Sequence, residues 1–184
     1  RFCFHERLSI AGNCRMCLVE LKGAPKPIAS CAWGVRDCRP GPNGEPPEVF
    51  TRTKMVKKAR EGVMEFLLIN HPLDCPICDK AGECLLQDNY MGHDAKYSRQ
   101  QDTKTAKPRL EVLGPLVNYN AERCIMCTRC VRFCDEITKT GELGVFQRGL
   151  RTEIGIFPGR PLGNAYSGNV VDICPVGALT LKEF

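Results

Sequence analysis

Three sets of side chains in this 184-residue chain have the types and spacing of metal ligands. Cys3, Cys14, Cys17 and Cys31 come first, spaced C-x10-C-x2-C-x13-C. His71, Cys75, Cys78 and Cys84 follow within HPLDCPICDKAGEC. Cys124, Cys127 and Cys130 form a C-x2-C-x2-C run, with Cys134 shortly after it and Cys174 far downstream. Thiolates at such spacings bind either a zinc ion or an iron–sulfur core. Zinc would make the chain a metal-stabilised interaction module, whereas iron and sulfide would make it a carrier of electrons.

Four thiolates in the first set supply two per iron, the demand of a [2Fe-2S] cluster. Gly12 and Asn13 favour a tight loop whose backbone N–H groups could donate to sulfur, which stabilises the reduced state. A four-cysteine zinc site is the alternative. His5 reads as a hydrogen-bonded loop histidine and Cys38 as a spare thiol, because four cysteines already fill the site. The second set is more ambiguous, since zinc accepts three cysteines and a histidine readily. Its position between two cluster-like sets favours a [4Fe-4S] core. A neutral imidazole in place of a thiolate removes one negative charge and should raise the reduction potential. In the third set, three thiolates within seven residues favour a second [4Fe-4S] cluster. Its fourth ligand is either Cys134 or Cys174. Cys134 precedes Asp135, whereas Cys174 precedes Pro175 as in bacterial ferredoxin runs, so Cys174 is preferred and Cys134 is expected to point into packing.

Composition agrees with metal in a reducing compartment. Thirteen cysteines, an odd number, do not make a disulfide framework. The formal charge of +5 suggests nucleic acid only until the ligands are counted. Eleven ligating thiolates with three cores of about +2 each leave about −5, which cancels it. No run of five like charges occurs. The longest nearly apolar stretch, residues 63–69, contains Glu65 and falls far short of the ~20 residues that a membrane span needs. Dinucleotide, P-loop and nucleophile motifs are lacking, so no catalytic residue is assigned.

The elements that must position these ligands are short. Residues 18–21 suggest a strand, and the proline- and glycine-rich residues 40–47 suggest an irregular excursion. Residues 54–70 read as an amphipathic helix capped by Thr53, with Met55, Ala59, Val63, Phe66, Leu67 and Asn70 on one face. Pro72 ends it and leaves His71 free to turn inward. Residues 85–115 read as a linker with some helix. Residues 117–120 suggest a strand, 128–140 a helix closed by Gly141, and 143–148 with 151–157 a hairpin. Ser167 is expected to cap a short helix that delivers Cys174, before a strand over 178–181. The fold class is therefore α+β, loop-rich and stapled by metal. Its expected units are residues 1–50, 51–115 and 116–184.

The segments RFCFHERLSIAGNCRMCLVE, KKAREGVMEFLLINHPLDCPICDKAGECLLQD, ERCIMCTRCVRF and SGNVVDICPVGALT resemble the N-terminal part of the large iron–sulfur subunit of respiratory NADH:quinone oxidoreductase, complex I. The resemblance implies a β-grasp [2Fe-2S] ferredoxin-like domain, a His/Cys [4Fe-4S] helical segment and a ferredoxin-like [4Fe-4S] domain, with the same ligand sets. It implies electrons arriving from NADH through a flavin-bearing subunit at the first site. They then pass to the Cys124/Cys174 site and to the His71 site, and leave through a neighbouring iron–sulfur subunit toward quinone. It also implies a peripheral position, on the cytoplasmic face of a bacterial inner membrane or the matrix face of the mitochondrial one, held there by partner subunits. The family's leading hairpin and helix and its large C-terminal domain have no counterpart here, so the chain is expected to be a fragment. Cluster modules of NAD-linked hydrogenases and formate dehydrogenases share the H-x3-C-x2-C-x5-C segment and are the related alternative.

Overall fold

A computed structural model describes residues 1–93 and 97–183. Residues 94–96, within the stretch expected as linker, and residue 184 lie outside the described residues. The first sheet is antiparallel and small. Strand β1 (Leu18–Leu21) pairs on one side with β2 (Ile28–Ala29) and on the other with β3 (Val49–Phe50). Val19 and Leu21 face inward, as alternation requires. Helix α1 (Lys54–Leu68) packs against β1, and Thr53 Oγ1 caps it by accepting the Val56 N–H at 3.2 Å. Arg60 Nε and Nη2 donate to the Leu18 carbonyl at 3.1 and 2.9 Å, which fixes the helix across the strand.

The buried face of α1 differs from the expected one. Val56 and Met64 are buried, whereas Met55 and Phe66 are 43% and 75% exposed. The apolar residues of this helix occupy more than one stripe, and the pairing of Arg60 with β1 turns the Val56–Met64 stripe inward. Helix α2 (Leu85–His93) then packs on α1.

The second sheet has the order β4 (Glu111–Val112), β5 (Val117–Tyr119), β8 (Leu179–Leu181), all antiparallel. Its first strand lies inside the expected linker, where a two-residue strand leaves no periodic trace. Helix α3 (Arg129–Glu136) stops four residues short of the expected end, because the Thr140 and Gly141 N–H groups turn back to the Cys134 carbonyl at 2.9 and 3.2 Å. The hairpin of β6 (Leu143–Phe146) and β7 (Glu153–Ile156) covers α3. Helix α4 (Asn169–Ile173) begins at Gly168 without a side-chain cap. Ser167 is buried one residue earlier and caps nothing with its side chain. A continuous apolar core runs from Phe2, Met16 and Met64 to Tyr119, Phe133 and Leu179, so the three expected units share one interior.

Candidate metal centres

The first set forms two pairs of thiols. Cys17 Sγ lies 3.3 Å from Cys31 Sγ, and the Cys3 and Cys14 thiols hydrogen-bond each other. Cys31 feels all three other thiols, and burial, then Cys17, pushes it up to about 11. Burial works to raise Cys14 as well, but backbone N–H groups of Cys3, Met16 and Phe2 outweigh it and hold that thiol below its ordinary value. Two pairs are the division that two irons require. Among the described residues no three His, Cys, Asp or Glu side chains gather closely enough to hold a single metal ion. Cys38 stands apart, with its Sγ 3.7 Å from the Gly34 carbonyl. His5 accepts the Arg7 N–H at 3.2 Å, the behaviour of a loop histidine.

At the second set, burial raises the Cys84 thiol, and Cys78 and Cys75 add to the effect, which places the three cysteines near one another. Cys75 is exposed. His71 follows the end of α1, its N–H bonded to the Leu68 carbonyl. Burial, then the nearby Lys104 cation, lowers it to about 4, so the imidazole is neutral at pH 7. Its Nδ1 is buried without a hydrogen-bond partner. An orphaned ring nitrogen in a cysteine-rich loop fits a metal-ligand role. The structure shows no contact between His71 and the thiols themselves.

At the third set, one enclosed pocket is lined by Cys124, Cys127, Cys130 and Cys174, with Tyr119 and Ile154 among its walls. Cys134 is fully buried but absent from that lining, and burial followed by the Glu142 carboxylate pushes it up to about 11. Helix α4 delivers Cys174 at its C-terminal end. Burial raises Cys127 to about 12 and Cys174 to about 11, and it holds Cys130 well above its ordinary value. Such thiols ionise at neutral pH only if a metal takes the proton's place. Tyr119 was not foreseen from sequence. Its hydroxyl accepts the Ile154 N–H at 3.1 Å and hydrogen-bonds Cys124, and burial with the Cys124 charge raises its own pKa. Backbone strain marks the ligand loops too. Arg15, Met126 and Thr128 have φ of 59°, 54° and 59°, and the Met126 N–H reaches Cys124 Sγ at 3.4 Å.

The third set touches both others through its ligand loops. Arg132 Nη2 donates to the carbonyls of Cys3 and Cys127 at 2.6 and 3.2 Å. Asn13 Nδ2 donates to the Met126 carbonyl at 3.2 Å. On the other side, the Leu85 N–H bonds the Pro175 carbonyl at 3.1 Å. A Cβ at Gly177 would stand 2.2 Å from Cys78 Sγ, so only glycine admits this approach. The half-buried Arg123–Asp74 pair, at 3.2 Å, joins the neighbours of Cys124 and Cys75. None of these contacts has a sequence signature, although arginines set within and just after a cysteine run could have prompted the question.

One pocket lined by four thiols and two further cysteine-rich segments, on a ferredoxin-like mixed α/β frame, fit an iron–sulfur protein class, and comparison with known proteins agrees. A family profile described as "NADH-quinone oxidoreductase subunit 3, ferredoxin-like domain" matches residues 114–180. Another, "NADH-ubiquinone oxidoreductase-G iron-sulfur binding region", matches residues 60–99. The whole chain is 53% identical to 25% of the NADH-ubiquinone oxidoreductase 75 kDa subunit of Reclinomonas americana. It is 50% identical to 24% of the mitochondrial NADH-ubiquinone oxidoreductase 78 kDa subunit of Neurospora crassa. The solved structure of an NAD+-reducing [NiFe]-hydrogenase in the H2-reduced state superposes with a TM-score of 0.81 at 28% identity, covering 99% of this chain and 74% of that one. The chain is thus similar along its whole length to the large, 75-kDa-type iron–sulfur subunits of NADH–quinone oxidoreductase, and spans about a quarter of the length of these relatives.

Proposed function

We propose that this chain is an electron-relay segment of an NADH:quinone oxidoreductase subunit. Cys3, Cys14, Cys17 and Cys31 would hold a [2Fe-2S] cluster. His71, Cys75, Cys78 and Cys84 would hold one [4Fe-4S] cluster, and Cys124, Cys127, Cys130 and Cys174 another. When bound, such clusters supply one-electron storage at potentials set by local charge and by hydrogen bonds to sulfur. The residues of the chain would hold the centres in order and keep the third one dry. The carrying observation is the third pocket, lined by four thiols from two distant segments while Cys134 faces elsewhere. Its contacts on either side support the relay order first, third, second. Residues 1–50, 51–115 and 116–184 would each contribute one site, the first as part of a β-grasp fold, with β4 passing to the third unit. The partners are a flavin-bearing NADH-oxidising subunit and a further iron–sulfur subunit. They would hold the chain at the cytoplasmic or matrix face of the membrane, and no helix among the described residues is long and apolar enough to cross it.

The hydrogenase likeness keeps a related reading in view, a relay subunit of an NAD-linked hydrogenase, but identity is 53% to the oxidoreductase subunit against 28% to the hydrogenase. The full-length subunit, purified without oxygen, should carry about ten irons and about ten acid-labile sulfides per chain, with separable two-iron and four-iron paramagnetic signals on reduction. Colourless protein loaded with zinc would overturn the relay.

A further inference from the structure

Helix α3 opens with Arg129, the wrong sign for a helix N-terminus, whose dipole favours anions. The side chain is only 8% exposed. Its Nη2 donates to the Phe4 carbonyl at 2.7 Å, beside Cys3, and its Nη1 to the Ile173 carbonyl at 3.1 Å, beside Cys174. Its Nε is buried without a partner, and the residue lines the third pocket. No ion pair joins Arg129 to a carboxylate among the described residues. The groups that would act on it as anions, once a metal replaces their protons, are the thiols of Cys127, Cys174 and Cys3. A buried cation without a counter-ion costs several kcal/mol. Here the counter-ion is divided between two ligand sets.

We propose that Arg129 is a shared counter-charge for the first and third sites, which holds both of their reduction potentials up through one guanidinium. It touches the backbone next to a ligand of each site, and it lines the third pocket with its Nε unpaired. Adding an electron makes either centre more negative, so a fixed positive charge between them favours the reduced state of both. Arg132 differs, because each of its three nitrogens is bonded, Nε to Thr128, Nη1 to Ser9 and Nη2 to Cys3 and Cys127, and it acts as a fastener. The second site, at the far side of the third, provides an internal control.

This inference rests on the proposed function, and the test separates the two. Midpoints of all three centres are measured by paramagnetic-resonance titration of the full-length subunit in its complex, as wild type, Arg129→Gln and Arg129→Lys. The expected result is that Arg129→Gln shifts the reduced-to-oxidised ratio of the first and third centres at least tenfold toward oxidised, which is 59 mV downward for a one-electron couple. The second centre stays in place, and Arg129→Lys stays near wild type. Unmoved midpoints, a shift at only one of the two sites, or an equal shift at all three would overturn the proposal. If Arg129→Gln fails to take up iron, Arg129→Lys decides. Uptake at wild-type potentials supports the charge, while lowered potentials or failed uptake makes Arg129 a folding residue and overturns it. Wild-type protein without iron would instead overturn the relay itself.

Discussion

Cys127, Cys130 and Cys174 are each 8% exposed and stand between two sheets and two helices, whereas Cys75 of the second set is exposed in a single 3-10 turn, Cys75–Ile77. The same ligand chemistry is thus set in two dielectric surroundings. At the third site, burial holds the thiols protonated until metal arrives, so loading and packing of α3, α4 and β8 are one event. At the second site, prolines, glycines and the neighbouring chain place the ligands, and rigidity is borrowed. Pro175 and Gly177 reach over from the third site to hold Cys84 and Cys78. On the proposed assignment, the second site would depend on the third for its shape.

The sharpest way to break this comparison is at the fourth ligand. Cys174→Ser should remove the third four-iron signal, with loss of about four of about ten irons per chain. Because Pro175 and Gly177 follow Cys174 closely, the second site should weaken with it. Cys134→Ser should keep both signals and cost only about 1–3 kcal/mol for burying a hydroxyl. Retention of the third signal in Cys174→Ser, with its loss in Cys134→Ser, would reverse the assignment.

Much of this arrangement is legible in the order of the amino acids. The proposed ligand sets can be read there because metal spacing is a local pattern. The strand at residues 18–21, the 143–157 hairpin and the Thr53 cap are visible because alternation, turns and caps are local too. Long-range matters are not. The buried face of α1 depends on Arg60 finding the Leu18 carbonyl, the short β4 depends on β5, and the end of α3 depends on turn bonds to Cys134. Arginine charge can be read as counter-charge to anionic clusters, but which arginine lies between which sites needs the fold. Tyr119, Arg129 and Gly177 act by proximity to cysteines that are distant in sequence or on other elements, and composition does not encode that.

A smaller effect is expected where the two sites meet. At Gly177 an added methyl would fall 2.2 Å from Cys78 Sγ and 3.2 Å from Lys80 Cβ. Cysteine has one side-chain torsion, and a ligating sulfur cannot use it without leaving the metal. Gly177→Ala should therefore cost about 1–3 kcal/mol through overpacking, concentrated on the second site. The checking measurement is a comparison of the two four-iron signals in one sample. The second should fall or broaden while the third, held by Cys174 three residues earlier, persists. Equal loss of both would show that the segment is a single unit and that the dependence does not run one way.

The finest test concerns the one ligand that is not a thiol. His71 is neutral because burial and Lys104 oppose its protonation, and Lys104 itself is tied down by the Leu68 and Ile69 carbonyls at 2.9 and 2.8 Å. A neutral ligand leaves the second site one charge less negative than the third, and that difference should appear as a higher potential. His71→Cys would add a thiolate, and the nearby Lys104 ammonium would offset part of its cost, while Asp74 and its partner Arg123 act on the position in opposite senses. The midpoint of the second centre should then fall by on the order of 100 mV, equivalent to about 2.3 kcal/mol for one electron. The third midpoint should stay where it was. An unchanged or higher second midpoint in an assembled variant would mean that solvent at the exposed Cys75, rather than ligand charge, sets the potential. The contrast between the two sites would then be one of exposure alone.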